Sequence, residues 1–393
     1  MNLPLAGLNV VSIEQAVAAP FATRQLADLG ARVIKIERPD GGDFARSYDT
    51  TVNGLSSYFV WLNRSKESLT LDLKHSGAGD VLGRLLERAD VFVQNLAPGA
   101  AGRLGTTPVT LRSRHPRLIV CNVSGYGSSG PYAAKKAYDL LVQSEAGLIS
   151  ITGPADTPSR VGISVADIAA GMYAYAGILT ALIARSANGH GTTVEVSLFD
   201  ALAEWMAAAA YYTTYGGSPP PRSGPDHASI APYGPYAGRD GRVVYLGVQN
   251  GREWTRFCAE VLLQPGLEHD ERFRTNSARV AHRQELSAAI EAVFRTLTAD
   301  EIVARLEGAQ IACARMNSVA EFVAHPQLDA RHRWREIGSP AGTLRALLPP
   351  VVLDGVEPVM GSVPALGEHT GSILEELGFD AATIARWREE RTI

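Results

Sequence analysis

Cysteine is scarce in this chain, with three residues, Cys121, Cys258 and Cys313, among 393. Their odd number and wide spacing exclude a disulfide framework and fit a reducing compartment. No two of them have the CxxC spacing of a metal site, and the nine histidines are scattered without ligand spacing. We therefore expect no metal centre.

An excess of positive charge is also missing. The net charge of −4 provides no basic footprint for nucleic acid and argues against attachment to an anionic membrane surface. The first residues carry no early Lys or Arg of a signal peptide, so we expect a cytoplasmic protein. One uncharged run, 168–184, is 17 residues long, at the lower limit for a membrane span. Its Ala and Gly content favours a buried helix instead.

Nucleotide-binding motifs are weak or absent. The sequence has no Walker P-loop and no GxSxG. Residues 125–130 match GxGxxG after a predicted strand, but Pro131, Tyr132 and the run 133–136 follow where a helix should open. A flexible loop is therefore favoured over the nicotinamide site of a dehydrogenase.

What the sequence does contain is a regular alternation of strands and helices. Apolar or alternating runs predict strands, and helical periodicity predicts the segments between them. This order is typical of an open, Rossmann-like parallel sheet of the α/β class with right-handed crossovers. The predicted strands are 8–13, 31–37, 68–73, 91–95 and 118–123, with helices over 20–29 and 79–89.

The length predicts two domains. A Gly-, Pro- and Ser-rich stretch is the clearest linker. Beyond it the pattern predicts a hairpin over 234–247 and three helices, which is typical of a smaller α+β domain. The predicted boundaries are a large domain over 1–215, a linker over 216–225, a small domain over 226–325, and a C-terminal segment, 326–393, returning to the large domain.

Asp167 is the only charge in the small-residue stretch 161–184. A charge in such surroundings is costly unless something uses it. A carboxylate that caps a buried helix is the structural alternative, and the local sequence leaves both interpretations open.

Several cations lie where predicted elements end: Lys35, Arg38, Lys74, Arg103, Lys135 and Lys136. Parallel sheets bind ligands beyond the carboxyl ends of their strands, and positive groups there suit a phosphorylated ligand. For each residue alone, a solvated surface charge is an equally good interpretation.

Motif blocks spread over the chain are more specific than any single motif. They comprise Ala19-Pro20, 26–31, 33–39, Gly42-Asp43 and Arg46; 63–66, 71–74, Asn95, Pro98-Gly99 and 103–105; Gly162, Asp167, Gly171, 177–178, 181–182, Arg185 and 189–191; and 325–328, Arg331 and 366–370. With these blocks the chain resembles the class III CoA-transferase family, which includes formyl-CoA transferase, carnitine CoA-transferase and the 2-methylacyl-CoA racemases.

The resemblance implies covalent catalysis with Asp167 as the nucleophile, passing through an aspartyl anhydride and an aspartyl-CoA thioester. Coenzyme A would be a co-substrate, with no permanently bound cofactor. An apolar Ala/Gly environment would exclude water, and a helix N-terminus would favour the ionised carboxylate.

The resemblance also implies the other site residues. Arg38, Lys74 and Arg103 would lie near the nucleotide phosphates, and Asn95, Lys136 and Tyr138 towards the pantetheine and the reacting centre. Arg46 and His190 are the candidates for the acceptor carboxylate, although His190 also suits a plain turn.

Two departures from the family's patterns bear on activity. The racemases carry a His-Asp pair where this chain has Tyr138-Asp139, so the acid/base pair of racemisation is broken and a transferase is favoured over a racemase. The glycine run of the formyl-CoA transferase branch is absent from 230–247, which speaks against oxalate as acceptor. We expect succinyl-CoA as donor and itaconate, mesaconate, malate or citramalate as acceptor. A CoA-binding protein without catalysis is the alternative of another class.

Family members form an interlocked homodimer, and the resemblance implies the same assembly here. The expected partners are therefore acyl-CoA, a small carboxylate and a second copy of the chain, without nucleic acid or membrane.

Overall fold

A computed structural model describes residues 3–393. Its largest sheet has six strands, all parallel, in the order β3-β2-β1-β4-β5-β6. The strands are β1 Asn9–Ile13, β2 Arg32–Glu37, β3 Lys66–Thr70, β4 Val91–Gln94, β5 Ile119–Ser124 and β6 Thr193–Ser197. The strand order reverses between β1 and β4, the place where open α/β sheets bind ligands. The α/β prediction is confirmed.

The third strand departs from its predicted range of 68–73. It begins at Lys66 and ends at Thr70, because the chain then leaves the ladder and Asp72 N–H donates to the Thr392 carbonyl at 2.7 Å. The sixth strand was not predicted. Thr193–Ser197 is only partly buried at the sheet edge, so it lacks a strong apolar run.

Eighteen α-helices are found among the described residues. In chain order they are α1 Ala18–Asp28, α2 Ser57–Asn63, α3 Ala78–Glu87, α4 Ala100–Arg103, α5 Pro108–Arg114, α6 Asp139–Glu145, α7 Leu148–Ile151, α8 Val165–Asn188, α9 Leu198–Trp205, α10 Ala207–Gly216, α11 Gly251–Arg256, α12 Asn276–Ala281, α13 Arg283–Phe294, α14 Ala299–Gly308, α15 Val319–Val323, α16 Pro326–Ala330, α17 Thr370–Glu376 and α18 Ala381–Glu389.

The chain forms two compact units. The first comprises Met1–Gly147, Val161–Ala207 and Asp329–Ile393, and its core is built on β1, β2, β4 and β5 with α3, α17 and α18 packed on them. Burying the apolar faces of these helices against the sheet is what stabilises this layer. The C-terminal helices thus belong to the same unit as the N-terminal strands.

The second unit comprises Leu148–Arg160 and Ala208–Leu328. Its antiparallel sheet joins Tyr233–Ala237, Val243–Gly247 and Ala312–Arg315, and α11, α13 and α14 contribute to its separate core. The hairpin predicted over 234–247 is confirmed. The domain boundaries predicted from the sequence stay a prediction.

Helix α8 extends over 24 residues and ends at Gly189, whose φ of 77° no other residue type adopts as readily. It packs on α1, α6, α9, β5 and β6. Among the described residues, α8 alone is long and apolar enough to cross a membrane, and 39% of its apolar window is buried. Packing on five neighbouring elements is the environment of a core helix.

Candidate functional site

The first turn of α8 carries Asp167, and close packing brings the start of α1 beside this turn. Gly171 lies one turn further along α8, and a Cβ built on it would lie 2.6 Å from the carbonyl oxygen of Ala18. Only glycine allows two backbones to approach so closely. The β1–α1 connection, at the strand-order reversal, therefore lies next to Asp167.

Asp167 is half-buried and sits at the positive end of the helix dipole. Burial raises its pKa to about 7, and the negative charge of Asp139 contributes in the same direction. Burial and Asp139 therefore oppose the helix N-terminus, which was predicted to favour the ionised carboxylate. No ion pair among the described residues includes Asp167.

Tyr48 is a neighbour of Asp167 that the sequence did not reveal. Burial raises its pKa to about 12, with contributions from the charges of Asp43 and Asp167. Its phenol therefore stays protonated at neutral pH and is a hydrogen-bond donor on this side of the site. The sequence offered one signal for Tyr48: it lies two residues after Arg46, the last residue of a motif block.

The β1–α1 connection is held in an unusual backbone conformation. Ala16 has a φ of 62°, which is rare for a residue with a Cβ, and its N–H donates to Asp43 Oδ1 at 3.0 Å. Asn95 holds the preceding residue, since Gln15 N–H donates to Asn95 Oδ1 at 2.9 Å and Asn95 Nδ2 donates to the Gln15 carbonyl at 2.8 Å. Both the oxygen and the nitrogen of the Asn95 side-chain amide are thus hydrogen-bonded to the loop beside Asp167.

Asp43 in turn belongs to a group of buried, ion-paired side chains. Lys35 Nζ lies 2.7 Å from Asp43 Oδ2 and 3.7 Å from Glu14 Oε1, and Lys66 Nζ lies 2.7 Å from the same Glu14 oxygen. These four side chains are fully or almost fully buried. The prediction that Lys35 belongs to a ligand-binding edge is wrong, because its ammonium is enclosed and paired.

Arg46 is also paired within the chain. Its guanidinium donates to both carboxylate oxygens of Glu37 at 2.8 Å and lies 3.6 Å from the ring centre of Phe59. Burial alone would raise the pKa of Glu37, but Arg46 and Lys35 outweigh it and hold the value at about 2. The Arg46 guanidinium is therefore paired with Glu37 within the chain. Its role in binding an acceptor carboxylate stays a prediction.

The four cations among the predicted CoA-binding residues are exposed and follow different strands. Arg38 follows β2, Lys74 lies four residues beyond the end of β3, Arg103 ends the short helix after β4, and Lys136 lies in the segment after β5. Because the strands are parallel, these segments all leave the carboxyl edge of the sheet. Arg38 additionally donates to the Gly42 carbonyl at 3.0 Å.

Tyr138 precedes the first residue of α6 and is 63% exposed. Nearby Lys135 is paired with Glu145 and lies 4.2 Å from the ring centre of Tyr132, whereas Lys136 is exposed. Of the two adjacent lysines, Lys136 is thus the one without an ion-pair partner among the described residues.

His190 is not brought to Asp167. It follows the residue that ends α8, and its N–H donates to Asn188 Oδ1 at 2.8 Å in a turn. The 1.5 Å rise per residue places the two ends of this 24-residue helix about 35 Å apart. Within one chain His190 is therefore a turn residue at the far end of the helix.

The glycine-rich segment 125–130 is a turn rather than the opening of a helix. Ser124 Oγ accepts from Gly127 N–H at 3.0 Å, and the next helix starts only at Asp139. Dinucleotide sites need a helix N-terminus directly after the glycines. The structure thus agrees with the loop interpretation. Over residues 3–393 no cluster of three or more His, Cys, Asp or Glu is arranged to hold a metal ion.

The chain belongs to CoA-transferase family III, whose family profile matches residues 5–370. It is therefore an enzyme of the transferase class that uses CoA thioesters. Two relatives illustrate the family. A succinate–glutarate CoA-transferase of Agrobacterium fabrum is 33% identical over 95% of this chain and 96% of its own length. A succinyl-CoA:mesaconate CoA-transferase of Haloarcula hispanica is 30% identical over 96% of this chain and 98% of its own.

A solved structure shares the fold. A CAIB/BAIF family protein from Brucella suis superposes with a TM-score of 0.84 at 33% identity, covering 96% of this chain and all of that one. The fold prediction of a parallel-sheet domain with a smaller antiparallel unit is thus supported along nearly the whole chain.

Proposed function

We propose that this protein transfers CoA from succinyl-CoA to a small dicarboxylate, with Asp167 as the nucleophile. One observation carries the proposal: Asp167 is a half-buried carboxylate without a cationic partner among the described residues, in the first turn of α8. It lies beside the switch point of a parallel sheet whose edge carries exposed cations. A perturbed carboxylate in this setting is a candidate nucleophile.

The reaction divides into two acyl exchanges at the same carboxylate. An oxygen of Asp167 attacks the thioester carbonyl, the C–S bond breaks, and an aspartyl–succinyl anhydride and CoA thiolate result. The thiolate attacks the aspartyl carbonyl, which releases succinate and leaves Asp167 as a CoA thioester. An acceptor carboxylate then attacks this thioester and takes the CoA by the reverse sequence. The thioester energy is conserved because no water enters.

The surroundings of Asp167 suit this chemistry. The raised pKa makes the carboxylate more basic, so it is a better nucleophile than an exposed aspartate once ionised. The protonated Tyr48 phenol is a donor for oxygens that become negative during acyl transfer.

The CoA itself is proposed to lie along the carboxyl edge of the sheet. Arg38, Lys74 and Arg103 are exposed after β2, β3 and β4, at the same edge of the sheet, which suits the phosphates of the nucleotide. Lys136 and Tyr138, exposed before α6, lie towards the pantetheine. Asn95 acts through the Gln15 backbone that it holds.

The acceptor is proposed to be a dicarboxylate of four to six carbons. Support comes from the relatives named for glutarate and mesaconate, of which this chain covers almost the full length. Itaconate, malate and citramalate belong to the same chemical class. Competition among glutarate, mesaconate, itaconate, malate, citramalate and oxalate, measured by mass spectrometry of the CoA esters formed from succinyl-CoA, identifies the acceptor.

The covalent mechanism is tested by trapping. Incubation with succinyl-CoA followed by hydroxylamine should place a hydroxamate on Asp167, found by peptide mass spectrometry, and Asp167→Asn should abolish both the adduct and CoA transfer. CoA transfer by Asp167→Asn at the wild-type rate would overturn the proposal. Asp200→Asn, in the exposed first turn of α9, is the matched control and should transfer CoA normally.

Assembly and location are proposals as well. We infer an interlocked homodimer in the cytoplasm, supported by the family membership and the cysteine usage. Light scattering should then give twice the chain mass of 41.9 kDa. A mass of one chain would contradict the dimer.

A further inference from the structure

Helix α8 begins without the side-chain cap that its own sequence should supply. Ser164 occupies the capping position, yet its hydroxyl makes no capping hydrogen bond. Instead, Asp139 Oδ1 accepts from the Ala166 N–H at 2.8 Å and from the Asp167 N–H at 3.4 Å. The cap thus comes from α6, 28 residues earlier in the chain, and binds the backbone of Asp167 itself.

Asp139 is in turn held by a buried amide. Gln143, one turn further along α6, is 0% exposed and donates from Nε2 to Asp139 Oδ2 at 2.7 Å. Its Oε1 accepts from Val161 N–H at 3.0 Å. One face of α6 therefore fixes both the segment that approaches α8 and the first turn of α8.

We propose that Asp139 is a positioning residue for CoA transfer: its carboxylate caps the helix that carries Asp167, and its negative charge favours the acylated form of Asp167 over the free carboxylate. This inference rests on the proposed function. Asp167 loses its negative charge when it becomes an anhydride or a thioester. Repulsion between the two carboxylates is therefore present before acylation and absent after it.

The electrostatics agree with this geometry. After burial, the charge of Asp139 is the second cause that raises the pKa of Asp167, and Tyr48 faces Asp167 as a neutral phenol. A neutral Ser or Thr cap would satisfy the same N–H groups without opposing the nucleophile's charge. The carboxylate therefore has an effect beyond capping.

Charged groups on the other elements packed against α8 have their own partners or face solvent. Asp200 and Glu204 of α9 are exposed. The paired groups are Arg24 with Asp28 on α1, Arg185 at the end of α8 with Asp90, and Glu195 of β6 with the Ser128 hydroxyl.

The test compares variants of Asp139 by the rate at which succinyl-CoA acylates the protein, measured in single turnovers over pH. Asp139→Asn keeps an oxygen acceptor but removes the charge. The inflection of its pH–rate profile should fall by about one pH unit, and its equilibrium constant for acylation should fall by about tenfold, which lowers the acylated fraction. Asp139→Ala should also be slower at every pH, because the cap is lost. Asp200→Asn, the same charge change on another helix packed on α8, should keep the wild-type profile.

Asp139→Glu keeps the charge and tests the proposal even if the neutral variants fold poorly. It should keep the inflection of the wild-type protein, and an inflection displaced as far as that of Asp139→Ala would overturn the proposal. An Asp139→Asn protein that folds and has the wild-type inflection and acylated fraction would overturn it too. In both cases wild-type acylation of Asp167 remains, whereas failure of the proposed function removes the wild-type adduct itself.

Discussion

Gly171 packs against Ala18 so closely that a Cβ on the glycine would meet the Ala18 carbonyl oxygen at 2.6 Å. This contact between α8 and α1 sets the distance between the Asp167 turn and the β1–α1 connection. Because this contact joins two backbones, no flexible side chain can move to make room for an added Cβ.

Gly171→Ala should therefore destabilise the protein by about 1–3 kcal/mol, the usual cost of overpacking, and should slow CoA transfer by displacing α8. Denaturant unfolding gives the first quantity and a transfer assay the second. Gly83→Ala is the control, because a Cβ there meets nothing within 4 Å in the middle of α3. It should leave transfer unchanged and stabilise the helix by up to about 1 kcal/mol. Equal stability of both variants would contradict the close contact.

Asp167 should make the protein less stable as the pH rises from about 4 to about 7. Its pKa is raised to about 7 in the folded protein from the ordinary value of 3.8, so in this window the folded state binds more protons than the unfolded state. Asp167→Asn removes the effect and should be more stable than the wild-type protein above pH 7, by on the order of 2 kcal/mol. Urea unfolding at pH 4.5 and 8 measures the difference, which should shrink at the lower pH. A pH-independent difference would contradict the raised pKa.

Lys35→Met should be strongly destabilising. It leaves the buried Asp43 and Glu14 carboxylates without their ammonium partner, and breaking a buried pair costs about 3–5 kcal/mol. Lys74→Met removes the same charge from an exposed position and should cost less than about 0.5 kcal/mol while weakening CoA binding. Thermal unfolding and CoA titration separate the two effects. A stable Lys35→Met protein with weakened CoA binding would instead make Lys35 a ligand residue.

Arg46→Lys distinguishes the two roles considered for Arg46. The paired Glu37 has its pKa lowered to about 2 from the ordinary value of 4.5, so it contributes stability that is fully present above pH 4.5 and is lost as the pH falls through about 2. A lysine keeps the charge but loses the bidentate geometry. We therefore expect lower stability at neutral pH and a smaller loss on acidification, with the KM for the acceptor acid nearly unchanged. A selective rise in that KM at unaltered stability would support an acceptor-binding role instead.

Much of the fold follows from local patterns. Alternating and apolar runs located five of the six parallel strands within a few residues, because each strand buries side chains that neighbouring sequence already marks as apolar. Strand β6 was not predicted, because a half-exposed edge strand has few of the apolar residues that mark a buried strand.

The candidate site was only partly visible in the sequence. Asp167 stood out as a lone charge among small residues, and Arg38, Lys74, Arg103 and Lys136 as cations at element ends. Both are local features, and the resemblance to the family added the chemistry that connects them.

Only the tertiary structure determined which polar groups are paired within the chain and which remain available to bind a substrate. Asp43 pairs with the buried Lys35, and Glu37 pairs with Arg46. The length of α8 separates His190 from Asp167. Asp139, 28 residues from Asp167 in sequence, touches its backbone. Burial and pairing depend on residues that are distant along the chain, so no local periodicity encodes them. Folding alone brings them within hydrogen-bonding distance and thereby sets their charge.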